Sequence, residues 1–214
     1  MLVVAHRTPS TAAGCAEFAA AGASLFEVDV QLSGDTVAVS HYLPFLRVRN
    51  WLEHDNWRFR WRSGPPHDAT LLEAVDLVPA DCRLLLDPKE TDAGRRTRLA
   101  DELARILPDR GRFCVSTDGP DDLGRYRNAE FDTWRTIKNS RDLQIVITAG
   151  PLPDRGVCVR HTLLTANSVA DLHQVTDTVV AWTVNDVERA RQLRDLGVDA
   201  VTTDRIQVMS AVAG

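Results

Sequence analysis

Short apolar runs alternate with helical stretches along the whole chain, and this alternation limits the fold more than any other feature. Residues 2–5, 25–30, 83–87, 113–116, 133–137, either 144–148 or 157–160, 179–183 and 200–203 read as strands. Helical stretches follow most of them. Residues 11–21 are rich in Ala and stop at Gly22, which suits a helix ended by glycine. Residues 94–107 place Leu99, Leu103 and Ile106-Leu107 at helical spacing. Residues 70–78, residues 186–196 and a tail from Arg205 read as further helices. Repeated strand–helix order argues for a parallel sheet. One strand per unit gives eight, the number that closes a (β/α)8 TIM barrel. Ser33-Gly34-Asp35 is a turn that returns residues 36–40 as an antiparallel strand beside the second barrel strand. Residues 42–68 are the least regular and read as a long loop.

The length of 214 residues, with no linker, argues for a single domain over 1–214. That is short for a barrel, so loops must be trimmed. The 44% of hydrophobic residues supply a sizeable core. A net charge of -5 argues against a nucleic-acid surface. Cys15, Cys82, Cys114 and Cys158 form no Cys-x-x-Cys pair and read as buried free thiols of a reducing compartment. No apolar run is long enough to span a membrane. His6 stands too early for a removable leader to precede the domain within this sequence, so the cytoplasm is the expected location.

Polar residues sit at the ends of the apolar runs, where a (β/α) barrel puts its chemistry. Glu27 and Asp29 are two apart on a strand, so both side chains face one way while Val28 and Val30 face the other. Asp87 ends Leu84-Leu85-Leu86. Three carboxylates with no cluster of Cys or His favour a hard, oxygen-binding ion, Mg²⁺ or Ca²⁺. One of the carboxylates in a salt bridge and another in solvent is the plainer alternative. His6 closes the first strand, and His41 closes the hairpin strand. Imidazole exchanges protons near neutral pH, which suits acid–base work. Arg7 offers a planar fork for phosphate oxygens. His54, His67, His161 and His173 fit no motif and read as loop or surface residues. From Arg47 to Arg62, arginines interleave with Trp51, Trp57, Phe59 and Trp61. This segment is expected to help form the pocket entrance and select the substrate, or else to pack on the barrel mouth.

Six segments taken together resemble the glycerophosphodiester phosphodiesterase family: Ala5-His6-Arg7, Phe26-Glu27-Val28-Asp29-Val30, Val39-Ser40-His41, Leu86-Asp87-Pro88-Lys89, Ala181-Trp182-Thr183-Val184-Asn185, and Gly197-Val198-Asp199 leading to Thr203-Asp204. The resemblance implies a TIM barrel of the phospholipase C-like phosphodiesterase type. It implies His6 and His41 as the acid–base pair and Glu27, Asp29 and Asp87 as ligands of one divalent cation. It further implies Arg7, Lys89 and Trp182 at the substrate, which would be a small phosphodiester. The chain departs from the family at Thr8, usually Gly; at Asp87, commonly Glu; at Pro88, usually apolar; and at Tyr42, usually Asp. Pro9-Ser10-Thr11 replaces a loop that leads to Pro-Glu-Asn-Thr in the family, so one glutamate contact is missing. Three activities stay open on these residues. They are hydrolysis of a glycerophosphodiester or related diester, a lyase or transferase reaction giving a cyclic phosphate as in sphingomyelinase D-type enzymes, and binding of a phosphorylated ligand with weak catalysis.

Overall fold

The computed structural model describes residues 1–213 apart from 9, 40–49, 56–57 and 64–68, and the side chains of residues 50–63 also lie outside that description. In chain order the elements are β1 (Leu2–Ala5), α1 (Ala12–Ala20), β2 (Ala23–Ser33), β3 (Thr36–Val39), β4 (Asn50–Asp55), β5 (Arg58–Ser63), β6 (Ala69–Thr70), α2 (Leu71–Leu77), β7 (Arg83–Pro88) and α3 (Ala93–Ile106). They continue as β8 (Phe113–Thr117), α4 (Pro120–Asn128), β9 (Asp132–Ile137), α5 (Ser140–Ala149), β10 (Gly156–Arg160), α6 (Ala166–Leu172), β11 (Thr178–Trp182), α7 (Val187–Asp195), β12 (Ala200–Thr203) and α8 (Ile206–Val212).

Eight strands run parallel in the order β1-β12-β11-β10-β9-β8-β7-β2, and β1 pairs back onto β2 to close the barrel. The antiparallel β3 adds to β2, and the short β6 adds to β3, which is the expected hairpin beside the barrel. The hairpin turn uses Gly34 at φ +62°, in the left-handed region that glycine enters without steric cost.

The strands are apolar on both faces because both are covered. One buried side chain from each barrel strand fills the interior: Val4, Leu25, Leu85, Cys114, Trp134, Cys158, Val180 and Ala200. Large Trp134 and small Ala200 share this space, so the packing is uneven in size but complete. The alternate residues, such as Val3, Phe26, Leu86 and Val201, face the helices in a second, larger cluster. Truncating a fully buried Leu such as Leu86 to Ala would cost about 2–5 kcal/mol.

Side-chain caps fix where helices begin after the mouth loops. Thr11, Asp92, Asn139 and Asp186 each accept from a backbone N–H of the first turn, and Thr70 and Glu73 form a reciprocal capping box. At Gly22 the chain passes at φ +106°, and a Cβ there would lie 2.2 Å from Ala213 Cβ. The stop of α1 therefore also lets the C-terminal helix close over the barrel.

Of the two stretches left open for the sixth barrel strand, 157–160 is the strand, β10, and residues 144–148 belong to α5. The 144–148 run is bounded by an Asn139 cap and Gly150, which favours a helix of 10 residues over a short strand. Residues 42–68 are not all loop, since β4 and β5 pair antiparallel within them. Arg58-Phe59-Arg60-Trp61-Arg62 alternates strictly in polarity, the period of a strand. Among the described residues, no helix is long and apolar enough to cross a membrane.

Candidate active site

A cavity of about 290 Å³ opens at the C-terminal ends of the barrel strands. His6, Glu27, Asp29, Asp87, Lys89 and Trp182, six of the residues singled out from the sequence, line it. They come from β1, β2, β7 and β11. Parallel pairing of β2 with β7 puts Asp29 directly opposite Asp87. Glu27 lies two residues back on the same face, as strand alternation requires. Each of these three carboxylates offers an oxygen, and the three oxygens lie within 4.8 Å of one another.

Glu27 and Asp29 are each only 5% exposed, so their charge is poorly solvated. Lys89 supplies one compensating charge, with Nζ 2.8 Å from Asp29 Oδ1 and 2.5 Å from Asp87 Oδ2. One ammonium does not balance three carboxylates. Burial, followed by the charge of Asp87, pushes Glu27 up to about 7, against the smaller opposing effects of Lys89 and Arg7. The donor set therefore fits a divalent cation: it is all oxygen, clustered, and short of positive charge. The shorter side chain of Asp87 still reaches the cluster.

Arg7 enters the site through its main chain. Its N–H donates to Glu27 Oε2 at 2.9 Å. Its backbone sits at φ +58°, a region that non-glycine residues seldom adopt. The next residue, Thr8, donates from both N–H and Oγ1 to the Glu27 carbonyl, each at 2.9 Å. Thr8, where the resembled family has Gly, is thus tied to β2, the strand of Glu27 and Asp29.

His6 follows β1, and its Nδ1 lies 3.8 Å from Asp204 Oδ2. The Thr203-Asp204 end of the C-terminal segment therefore also comes beside His6. Asn185 Oδ1 accepts from Thr203 Oγ1 at 3.0 Å and from the Asp204 N–H at 3.3 Å, which sets the turn carrying Asp204. Trp182 walls the cavity and packs on the interior cluster, while Asp186 caps α7.

His41 and the loop residues at 40–49 and 64–68 lie outside the described residues, as do the side chains of Trp51, His54 and Trp57. His173 Nε2 pairs with the Gly197 carbonyl at 3.0 Å, and His161 is partly buried beside Arg189, away from the cavity lining.

The sequence reading missed the β8–β9 wall. Ser116, Thr117, Asp118, Thr136 and Lys138 line the cavity there. Ser116 and Thr136 share a hydrogen bond of 2.7 Å, and Lys138 Nζ donates to Asp118 Oδ2 at 2.7 Å. The signal was present in part: a charged residue, Asp118 or Lys138, directly follows each strand, as polar residues do at the recognised ones. Cys158 lies on the floor, where burial pushes its thiol up to about 12, so it is a packing group. All four cysteines are buried and free, as expected.

Residues 127–208 match the model of the Glycerophosphoryl diester phosphodiesterase family. The match lies in the C-terminal part of the chain. Over this stretch the match agrees with the resemblance read from the motifs. Solved structures agree on the barrel. A Silicibacter pomeroyi protein assigned to the glycerophosphoryl diester phosphodiesterases has a TM-score of 0.76 at 20% identity, over 98% of this chain and 91% of that one. An Oleispira antarctica phosphodiesterase in complex with the product sn-glycerol-3-phosphate has a TM-score of 0.74 at 19% identity, over 100% and 97%. A Thermotoga maritima glycerophosphodiester phosphodiesterase has a TM-score of 0.71 at 20% identity, over 97% and 96%. Among curated proteins none matches.

Proposed function

We propose that the chain is a metal-dependent phosphodiesterase that cleaves a glycerophosphodiester or a related small diester with His6 and His41 as its acid–base pair. The observation that carries this reading is the cluster of buried Glu27 and Asp29 with half-buried Asp87, beside His6 in one cavity at the barrel mouth. Those three carboxylates would hold one Mg²⁺ or Ca²⁺. When bound, such an ion holds a phosphate oxygen and offsets its charge.

The remaining steps fall to the chain's own groups. The Arg7 N–H holds Glu27 in place. Lys89 and the Arg7 guanidinium meet the phosphate charge. Asp204 Oδ2 lies 3.8 Å from the Nδ1 side of the His6 ring, and Nε2 would exchange the proton. His41, at the end of the hairpin strand in sequence, takes the opposite proton. One histidine removes a proton from the attacking oxygen, and the other gives one to the leaving alcohol. The product complex of the Oleispira neighbour supports a small phosphorylated alcohol as ligand. The four free, buried thiols support the cytoplasm as its location.

Product analysis on a panel of phosphodiesters, with and without Mg²⁺ or Ca²⁺, tests this. Metal-dependent release of a monoester and an alcohol is the expected result. A cyclic phosphate would instead make the chain a lyase, and intact substrate throughout would make it a binding protein.

A further inference from the structure

We propose that Glu90, clamped by Arg95, is a positioning residue that fixes the Lys89 ammonium over the carboxylate cluster. The inference rests on the reading of Lys89 as a cation that meets the phosphate, but it concerns groups outside the cavity lining. β7 ends at Pro88, which pairs with Val30 of β2. The Lys89 N–H still donates to the Val30 carbonyl at 2.9 Å. Main-chain groups alternate in direction along a strand, so the N–H and C=O of Leu32 turn to the same edge as those of Val30. β7 has ended by then, and two side chains take its place. The Leu32 N–H donates to Glu90 Oε1 at 2.7 Å, and the Leu32 carbonyl accepts from Arg95 Nη2 at 2.8 Å. Arg95 also grips Glu90 with its fork, Nε to Oε2 at 2.6 Å and Nη2 to Oε1 at 2.8 Å.

Neighbouring residues thus do different work. Lys89 lines the cavity, with Nζ on Asp29 and Asp87. Glu90 is 8% exposed and does not line it. A buried carboxylate is costly unless paired and hydrogen-bonded, and the bonds to Glu90 come from Leu32 of β2 and Arg95 of α3. They hold residues 89–90 against β2, the strand that carries Asp29. Lysine bears its charge on a flexible four-carbon stem, so its tip stays between two strands only where its main chain is fixed. Docking of α3 has a separate tie. Arg98 donates to the Gly34 carbonyl at 3.2 Å and to Asp35 Oδ1 at 2.5 Å, at the hairpin turn.

Lys89 and Lys138 are the only lysines of the chain. Lysine labelled with carbon-13 at Cε therefore gives one signal for each, and Lys138 serves as an internal reference. NMR relaxation in chelator compares the wild type, Glu90→Gln and Arg95→Met. In the wild type the Lys89 Cε order parameter should be high, about 0.8, and that of the more exposed Lys138 below about 0.6. Both variants should bring Lys89 below about 0.6 and leave Lys138 unchanged. A Lys89 as mobile as Lys138 in the wild type, or one still ordered in either folded variant, would overturn the positioning role. Equal loosening of both lysines, or failure of both variants to fold, would also overturn it, because the pair would then be simply structural. Inorganic phosphate titrated calorimetrically in Mg²⁺ reads the consequence, and both variants should bind it about tenfold more weakly. Loosening of Lys89 alone, with no phosphate bound by the wild type or with unchanged affinity, would refute the phosphate reading of the site and leave the positioning role standing.

Discussion

The first 90 residues and the last 90 contribute differently to this barrel. The carboxylate cluster, His6, Arg7 and Lys89 all lie in the first stretch. The family match covers residues 127–208, where the Gly197-Val198-Asp199 and Thr203-Asp204 segments build strands and turns. The segment most recognisable as family sequence is thus mostly scaffold, while the groups proposed for chemistry stand in the segment with the departures at Thr8, Asp87 and Pro88. The division is not absolute. Trp182 lines the cavity from the C-terminal stretch, and Asp204 comes 3.8 Å from His6 across the closed seam of β1 and β12. Scaffold substitutions should therefore act on stability, and those in the first stretch on chemistry.

The largest expected effect would come from His6. Replacing an acid or base should cost roughly 10²–10⁴-fold in turnover. Steady-state kinetics on His6→Ala should show that loss with metal affinity largely intact. If His6 is the acid, a nitrophenol leaving group should restore much of the rate, because it departs without a proton. Turnover equal to wild type would remove His6 from the chemistry and break the comparison at its strongest point.

A smaller effect concerns the charge stored in the cluster. Folding raises Glu27 from its ordinary 4.5 to about 7, so the metal-free folded state binds more protons than the unfolded chain between those values. Stability should then fall as pH rises from 4.5 to 7 and level off above, by on the order of 1–3 kcal/mol. Denaturant melts in chelator at pH 5 and pH 8 would show this, and Glu27→Gln should flatten the profile. A metal-free chain that instead gains stability over that window would mean that Lys89 already neutralises the cluster.

The smallest effect tests the scaffold side. Asn185→Ala leaves Thr203 Oγ1 and the Asp204 N–H without their acceptor, at a cost of about 1–3 kcal/mol. Thermal melts should register it, while metal affinity should stay as in the wild type. A drop in metal affinity without a loss of stability would show that the two stretches are not separable in this way.

Much of this division was legible in the sequence, because period-2 and period-3.6 patterns and strand-end polarity are local. Glu27 and Asp29 had to share a face, and Asp87 had to end a strand. That β2 pairs with β7 is not local, so the meeting of Asp29 with Asp87 had to come from the barrel's closure. Asp118 and Lys138 each follow a strand, which is local, but that they meet comes from the pairing of β8 with β9, which is not. The β4–β5 hairpin was missed because aromatic and arginine residues drew attention to chemistry rather than to their alternation.

The account rests on the cluster in the first stretch, and a calorimetric titration of Mg²⁺ and of Ca²⁺ into the wild type and Glu27→Gln tests it most directly. One site per chain should be seen in the wild type, with affinity falling at least about tenfold in the variant, since a neutral amide replaces a buried ionised ligand. Equal affinity in the two proteins, or no binding by a folded wild type, would contradict the assignment of Glu27, Asp29 and Asp87 as the metal site.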